Sequence, residues 1–329
     1  MSKDLKALLT SFKDATQYWV ANLTGDRISQ IKASKVDNPL DELSKLVKLI
    51  KAHVTKVGII FKPETLAKQE STAYNTLEKL SESLILLVSV ISQLQANQIS
   101  KLFYNEIVHQ TTQLIESNHE LAIELTYIYD EKEDSARLVS VGKIWSNCDS
   151  LTELINNGAL NLLTSKIKQS IGLIDDGFDE FVEWVKNPVD INDPFGFSDD
   201  EGDEEEGDKF DDGEKSNDEE EDSAELKAYA EKWLKKIELD RLLLASFKKS
   251  LPKSTSGAQI DEIDFLQRKI SNSIDKLIVD LMLNREITKE TESISKDIST
   301  YSIKLAKLAE SIHTDKRSTW YSTWITKFN

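Results

Sequence analysis

Apolar residues recur along this chain at intervals of three and four, the spacing of one helix face, over nearly its whole length. Leu5, Leu8, Leu9, Phe12, Trp19 and Leu23 trace a first helix, and Gly25 is placed to stop it in the left-handed conformation. Asn38-Pro39, an amide cap followed by proline in the first turn, opens a second along Leu43, Leu46, Val47, Ile50, Val54 and Val57. Pro63 begins a third, through Leu77, Leu80, Leu84, Leu87 and Ile91. A fourth runs from Ile99 to Tyr129, and the polar cluster Asp130 to Asp134 makes the turn after it. A fifth carries Val141, Ile144, Trp145, Cys148, Leu151 and Ile155, and Asn156-Asn157-Gly158 predicts its stop. A sixth holds Leu163, Ile167, Ile171, Ile174, Phe178, Phe181 and Val185 before Asn187-Pro188 ends it. Three more stripes follow, led by Leu226, Ile260 and Ile287, and Trp320, Trp324 and Phe328 give a short tail helix an aromatic side.

No stretch alternates with the period of two that a strand requires, and proline is absent from Glu64 to Asn187 and from Lys253 to Asn329. Long helices joined by short turns pack as antiparallel up-and-down bundles, so the fold class predicted is all-α.

Charge divides this pattern in two. Asp190 to Asp222 holds 18 carboxylates and two lysines, a local charge of −16 in a chain of −17. So dense a run repels itself and has little to bury, which predicts a disordered acidic linker. The domains expected are an N-terminal helical bundle over residues 1–188, the linker over 189–222, and a C-terminal helical domain over 223–329.

Catalytic patterns are missing. His53, His109, His119 and His313 form no His-Glu-x-x-His pair, and none stands with Cys148 at zinc-ligand spacing. There is no nucleophile elbow, phosphate loop or dinucleotide fingerprint, so neither metal nor cofactor is expected and the chain reads as a non-enzyme. The lone Cys148 excludes an internal disulfide and fits a reducing compartment. No leader-like apolar run opens the chain, and none approaches the roughly 20 residues that span a bilayer. The expected location is cytoplasmic and nuclear, with no membrane partner. Lys45, Lys48, Lys51 and Lys56 make the densest basic face, too sparse for a phosphate-binding surface, so direct nucleic-acid contact is not expected.

The linker carries its own candidate chemistry. Ser198 precedes Asp199-Asp200-Glu201, and Ser216 precedes Asp218 and Glu219, both patterns that acid-directed serine kinases accept. Phosphorylation would add about −1.5 to −2 of charge at each. Asp193, Pro194, Phe195 and Phe197 set aromatic side chains beside acidic ones, as in short peptides that dock into a partner's apolar groove.

Gly142-Lys143-Ile144-Trp145-Ser146-Asn147-Cys148 resembles the aliphatic-Trp-x-x-Cys helix of the GCIP family, the cyclin-D-binding, helix-loop-helix-like proteins also called Maid. The likeness continues through the Leu- and Ile-rich helix ending near Glu183 and the Asp193-Pro194-Phe195 step into the acidic run, so it centres on residues 142–201. It implies vinculin- or catenin-like helical bundles and an adaptor role in cell-cycle or transcriptional control. The partners implied are D-type cyclins or transcription regulators. Ile144, Trp145 and Cys148 carry over as structural residues. No basic region precedes any helix, which departs from DNA-binding helix-loop-helix proteins.

The leading expectation is a non-enzymatic regulatory adaptor whose acidic linker is a phosphorylation-tunable interaction segment. One alternative is a chaperone of histones or other basic proteins that uses the tract as a polyanion. The other is a cytoskeletal-type helical scaffold, which rests on fold analogy alone.

Overall fold

The computed structural model describes residues 4–186 and 217–329, with the backbone alone for Asp26 and for 217–223. The described residues are helical with no strand, which makes the protein all-α. In chain order the helices are α1 (Leu5–Asn22), α2 (Gly25–Ile28), α3 (Pro39–Ile60), α4 (Pro63–Leu66), α5 (Glu70–Ile91), α6 (Ala96–Ile99) and α7 (Lys101–Glu131). They continue as α8 (Arg137–Lys186), α9 (Asn217–Ser250), α10 (Gly257–Asn284), α11 (Lys289–Ile312) and α12 (Lys316–Phe328).

Local chemistry sets several ends. Asn38 caps α3 by accepting from the Asp41 N–H at 3.3 Å, and Pro39 fills the first turn, where its missing donor costs nothing. Ser256 and Gln259 cap α10 reciprocally. The expected left-handed stop at Gly25 does not occur. Leu23 closes α1, and Gly25 instead opens α2 behind Thr24. Among the described glycines, the one with positive φ is Gly158 (φ 71°, ψ 178°), which breaks α8 internally where Asn156-Asn157-Gly158 predicts a stop. A β-carbon disfavours that backbone, so the residue type and the break go together.

Contacts divide the chain into two compact units, Met1–Leu162 and Leu163–Asn329. In the first, α1 lies along α7 and α5, and α3 packs on α5. Lys6 meets Asp130 and Thr16 meets His119, so α1 and α7 run antiparallel. Leu9, Phe12, Ile50, Val54, Leu77, Leu114, Leu125, Ile144 and Leu151 are buried in one core, and Ala159 and Leu162 still pack against it.

The second unit takes the rest of α8 together with α9 to α12. Asp175 pairs with Arg241, whose guanidinium lies 4.3 Å from the Phe178 ring centre, and α10 and α11 pair along their length. The tail helix α12 buries Tyr321, Trp324 and Phe328, and Trp324 Nε1 donates to the Leu239 carbonyl at 2.8 Å. Trp320, expected on the docked side, is 41% exposed because Tyr321 takes the buried position.

Two expected boundaries differ from these findings. Residue 188 was the expected end of the first bundle, but contacts place 163–186 with the C-terminal helices. α8 thus contributes to both units, and Ala159 and Leu162 beyond its break still pack on the first core. The C-terminal domain was expected from 223, but α9 already starts at Asn217. The run Asp218 to Asp222 thus lies within the first turns of α9.

Candidate protein interface along α3 and α8

The pairing of α3 with the first part of α8 can be followed residue by residue. Lys51 forms an ion pair with Asp149, and Trp145 Nε1 donates to Thr55 Oγ1 at 3.2 Å. At the other end, Nε of the buried Arg137 donates to the Gly58 carbonyl at 3.0 Å. The helices are therefore antiparallel and close. A β-carbon on Gly58 would stand 2.9 Å from Val141 Cγ2, so glycine is what permits the approach. Arg137 also pairs with Asp134, and burial lowers its pKa.

The motif residues divide between inside and outside. Ile144 and Cys148 are buried in the first core, whereas Trp145 is 40% exposed on the seam. The Lys51 ammonium lies 6.0 Å from the Trp145 ring centre, at the outer reach of a cation–π contact. Burial pushes the Cys148 thiol up to about 12, which leaves almost no thiolate at neutral pH. Cys148 in the folded chain is expected to resist a thiol reagent at pH 8 and to react fully once urea unfolds the bundle. Rapid reaction in the absence of urea would show that the site is open.

Trp145 has apolar company. Ile59 on α3 is 67% exposed, and Leu138 and Val139 on α8 are 61% and 64% exposed. A β-carbon on Gly58 would lie 3.8 Å from Leu138 Cδ2, so Leu138 reaches α3 at one end of the seam. Leu138, Gly142, Trp145 and Asp149 follow each other at helical spacing on one face. A β-carbon at Gly142 would meet nothing within 4 Å, so a notch separates Leu138 from Trp145.

The charge that α3 brings to this face has one sign. From Leu43 to Lys62, α3 and the residues just after it hold Lys45, Lys48, Lys51, Lys56 and Lys62 and no carboxylate. Lys48 and Lys56 are exposed and make no ion pair among the described residues. The other flank of α8 is closed by polar pairs. Asn147 Nδ2 donates to Ser117 Oγ at 2.8 Å, and Lys143 pairs with Glu120 at 2.7 Å. Apolar exposure beside lysine marks the α3 side.

Asp193, Pro194, Phe195 and Phe197, and the serines Ser198 and Ser216, lie outside the described residues. Among those described, no group of histidine, cysteine and acidic side chains could hold a metal ion, and no helix is long and apolar enough to cross a membrane. Sequence reading passed over Ile59, Leu138, Val139 and the Gly142 notch. Their signal was phase: Leu138 and Val139 fall off the buried row of Val141, Ile144, Cys148 and Leu151.

Comparison with known proteins bears on this same stretch. Residues 42–187 match the family described as Grap2 and cyclin-D-interacting, N-terminal. The match bears out the GCIP resemblance and includes both helices of the seam. The cyclin-D-interacting match begins inside α3 and omits α1, although Leu9 and Phe12 of α1 fill the same core. Two fungal relatives extend over most of the chain. The uncharacterized protein YLR287C of Saccharomyces cerevisiae is 28% identical over 324 residues, covering 92% of this chain and 89% of its own. The uncharacterized protein C22E12.18 of Schizosaccharomyces pombe is 21% identical over 312 residues, covering 90% of this chain and 86% of its own.

Proposed function

We propose that the protein is a non-enzymatic regulatory adaptor that binds protein partners in cell-cycle or transcriptional control, in cytoplasm and nucleus. The carrying observation is the half-exposed Trp145 on an apolar, lysine-flanked seam, inside the residues that match a cyclin-D-interacting family. An aromatic anchor among exposed aliphatic side chains is the usual centre of a protein interface. A cyclin-like protein or a transcription regulator is the partner class this reading favours, with no role for DNA or membrane. The acidic tract, with Ser198 and Ser216, would tune affinity through added phosphate charge.

Gentle affinity purification of the intact chain from its own cells tests the reading. Stoichiometric recovery of cyclins, kinases or transcription regulators supports it, and recovery of no stoichiometric protein overturns it. The 18 carboxylates between Asp190 and Asp222 favour a second reading, a chaperone of histones or other basic proteins. That reading predicts histone binding that salt weakens steeply and that deletion of residues 199–222 abolishes. Histone binding that survives the deletion excludes it.

A further inference from the structure

We infer that the α3–α8 seam is a docking groove for an acidic amphipathic helix of a partner protein, whose apolar side chain enters the notch at Gly142. The inference rests on the adaptor reading and names the face and the chemistry that it leaves open. Three features of one surface lead to it, the first being shape. Leu138 and Trp145 stand on either side of a position without a side chain, and space above that position is open. Such a gap on a helix is a hole for a knob from a second helix, packed as helices pack elsewhere.

The second feature is apolarity. Ile59, Leu138 and Val139 are each more than half exposed, and Trp145 nearly so. Covering such side chains contributes about 25 cal/mol per Å² of apolar surface removed from water. A partner helix with apolar residues at i, i+3 or i+4, and i+7 would follow the seam.

Charge is the third feature, and it selects among occupants. Lys48 and Lys56 make no ion pair among the described residues, and no carboxylate lies between Glu42 and Glu64. Asp149 is the one carboxylate of α8 from Arg137 to Thr152, and Lys51 already holds it. The protein as a whole is strongly acidic, at −17, so this basic face is local and a helix flanked by Asp and Glu suits it. Complementary charge of this kind speeds encounter and excludes basic partners.

The test pans the immobilised full-length chain against an unbiased displayed-peptide library, then titrates the synthesised winners by fluorescence anisotropy. Winners should be rich in Asp and Glu, carry Leu, Phe or Trp at helical spacing, and turn helical on binding. Gly142→Leu fills the notch, and because nothing lies within 4 Å of the new β-carbon the bundle should fold with an unchanged or higher thermal midpoint. Affinity should fall about tenfold in Gly142→Leu and in Trp145→Ala, and several-fold in the Lys48→Glu, Lys56→Glu double variant. Raising salt should weaken the wild-type complex and leave the double variant less affected.

Basic or neutral winners, no enrichment, or undiminished binding to folded Gly142→Leu would each overturn the inference. A synthetic peptide of residues 190–222 that displaces the winners at equal affinity would assign the groove to the chain's own tract instead. Sedimentation showing a dimer that Gly142→Leu dissociates would assign it to a second copy. Either result also overturns the partner helix. The adaptor reading fails separately: native partners recovered equally with Gly142→Leu sink the groove and leave the adaptor standing, whereas winning peptides without native partners do the reverse.

Discussion

Phe181→Ala is expected to destabilise the C-terminal unit by about 3–5 kcal/mol, the usual cost of emptying a buried phenylalanine site. Phe181 is fully buried and stacks on Trp184 with ring centres 5.7 Å apart. One turn earlier, a β-carbon on Gly177 would lie 3.8 Å from Ile278 of α10, and Phe178 lies under Arg241 of α9. The neighbours of this helix segment are therefore C-terminal helices. Hydrogen exchange in the variant should lose protection across α9 to α12 and the end of α8, and keep it in α1 to α7. Leu125→Ala, which opens the first core, should give the opposite map. If Phe181→Ala loosened α1 to α7 and spared α9 to α12, residues 163–186 would belong with the N-terminal bundle.

This prediction falls where sequence reading was weakest. Leu163, Ile167, Ile171, Ile174 and Phe178 repeat at the same spacing and with the same residue types as the stripes before them. Periodicity fixes which face is buried, but the partner of that face is a non-local property, and the acidic tract lies between this helix and the helices it joins. A boundary at 188 followed from chain proximity alone. Local signals fared better where one residue decides the geometry. Asn38-Pro39 marked the start of α3 because a cap and a donor-free first turn are both short-range. Gly25 misled because glycine permits the left-handed conformation without demanding it, and among the glycines described only Gly158 takes a positive φ, there with an extended ψ. At the candidate interface, Cys148 and Ile144 were legible as core from their phase. Trp145 was not: it was read with its neighbours as structural, although it lies next to Ile144 and thus about 100° round the helix from it. The structure puts it at the surface, held at its indole N–H by Thr55.

Asp240→Asn is expected to stabilise the protein at neutral pH, gaining up to about 1.4 kcal/mol for each pH unit between the normal carboxylate range and the raised pKa. Asp240 sits between Ile237 and Leu244 on the inward stripe of α9 and is fully buried. Neither carboxyl oxygen has a hydrogen-bond partner, and the buried Ser302 hydroxyl on α11 has none either. Burial raises the Asp240 pKa well above its ordinary value. The Ser302 hydroxyl, near the carboxyl but outside hydrogen-bonding geometry, and the Lys236 ammonium pull it back without offsetting the burial. The folded state therefore holds a proton that the unfolded chain releases once pH passes the normal carboxylate range. Stability falls as pH rises from that range towards the raised pKa, and below it the residue costs nothing through ionisation. Asn cannot ionise, so the gain from the substitution should be smallest in acid and grow as pH rises. Urea titrations of both proteins across that window measure it. A difference independent of pH, or a variant less stable than wild type at neutral pH, would mean that Asp240 is ionised and paired in the folded protein. Its neighbours on α9 hold the tail helix: the Leu239 carbonyl accepts from Trp324, and Lys236, one turn back, lies over Phe328 at 4.4 Å. Relief at Asp240 should thus also slow hydrogen exchange in α12, the element whose docking closes over this end of α9.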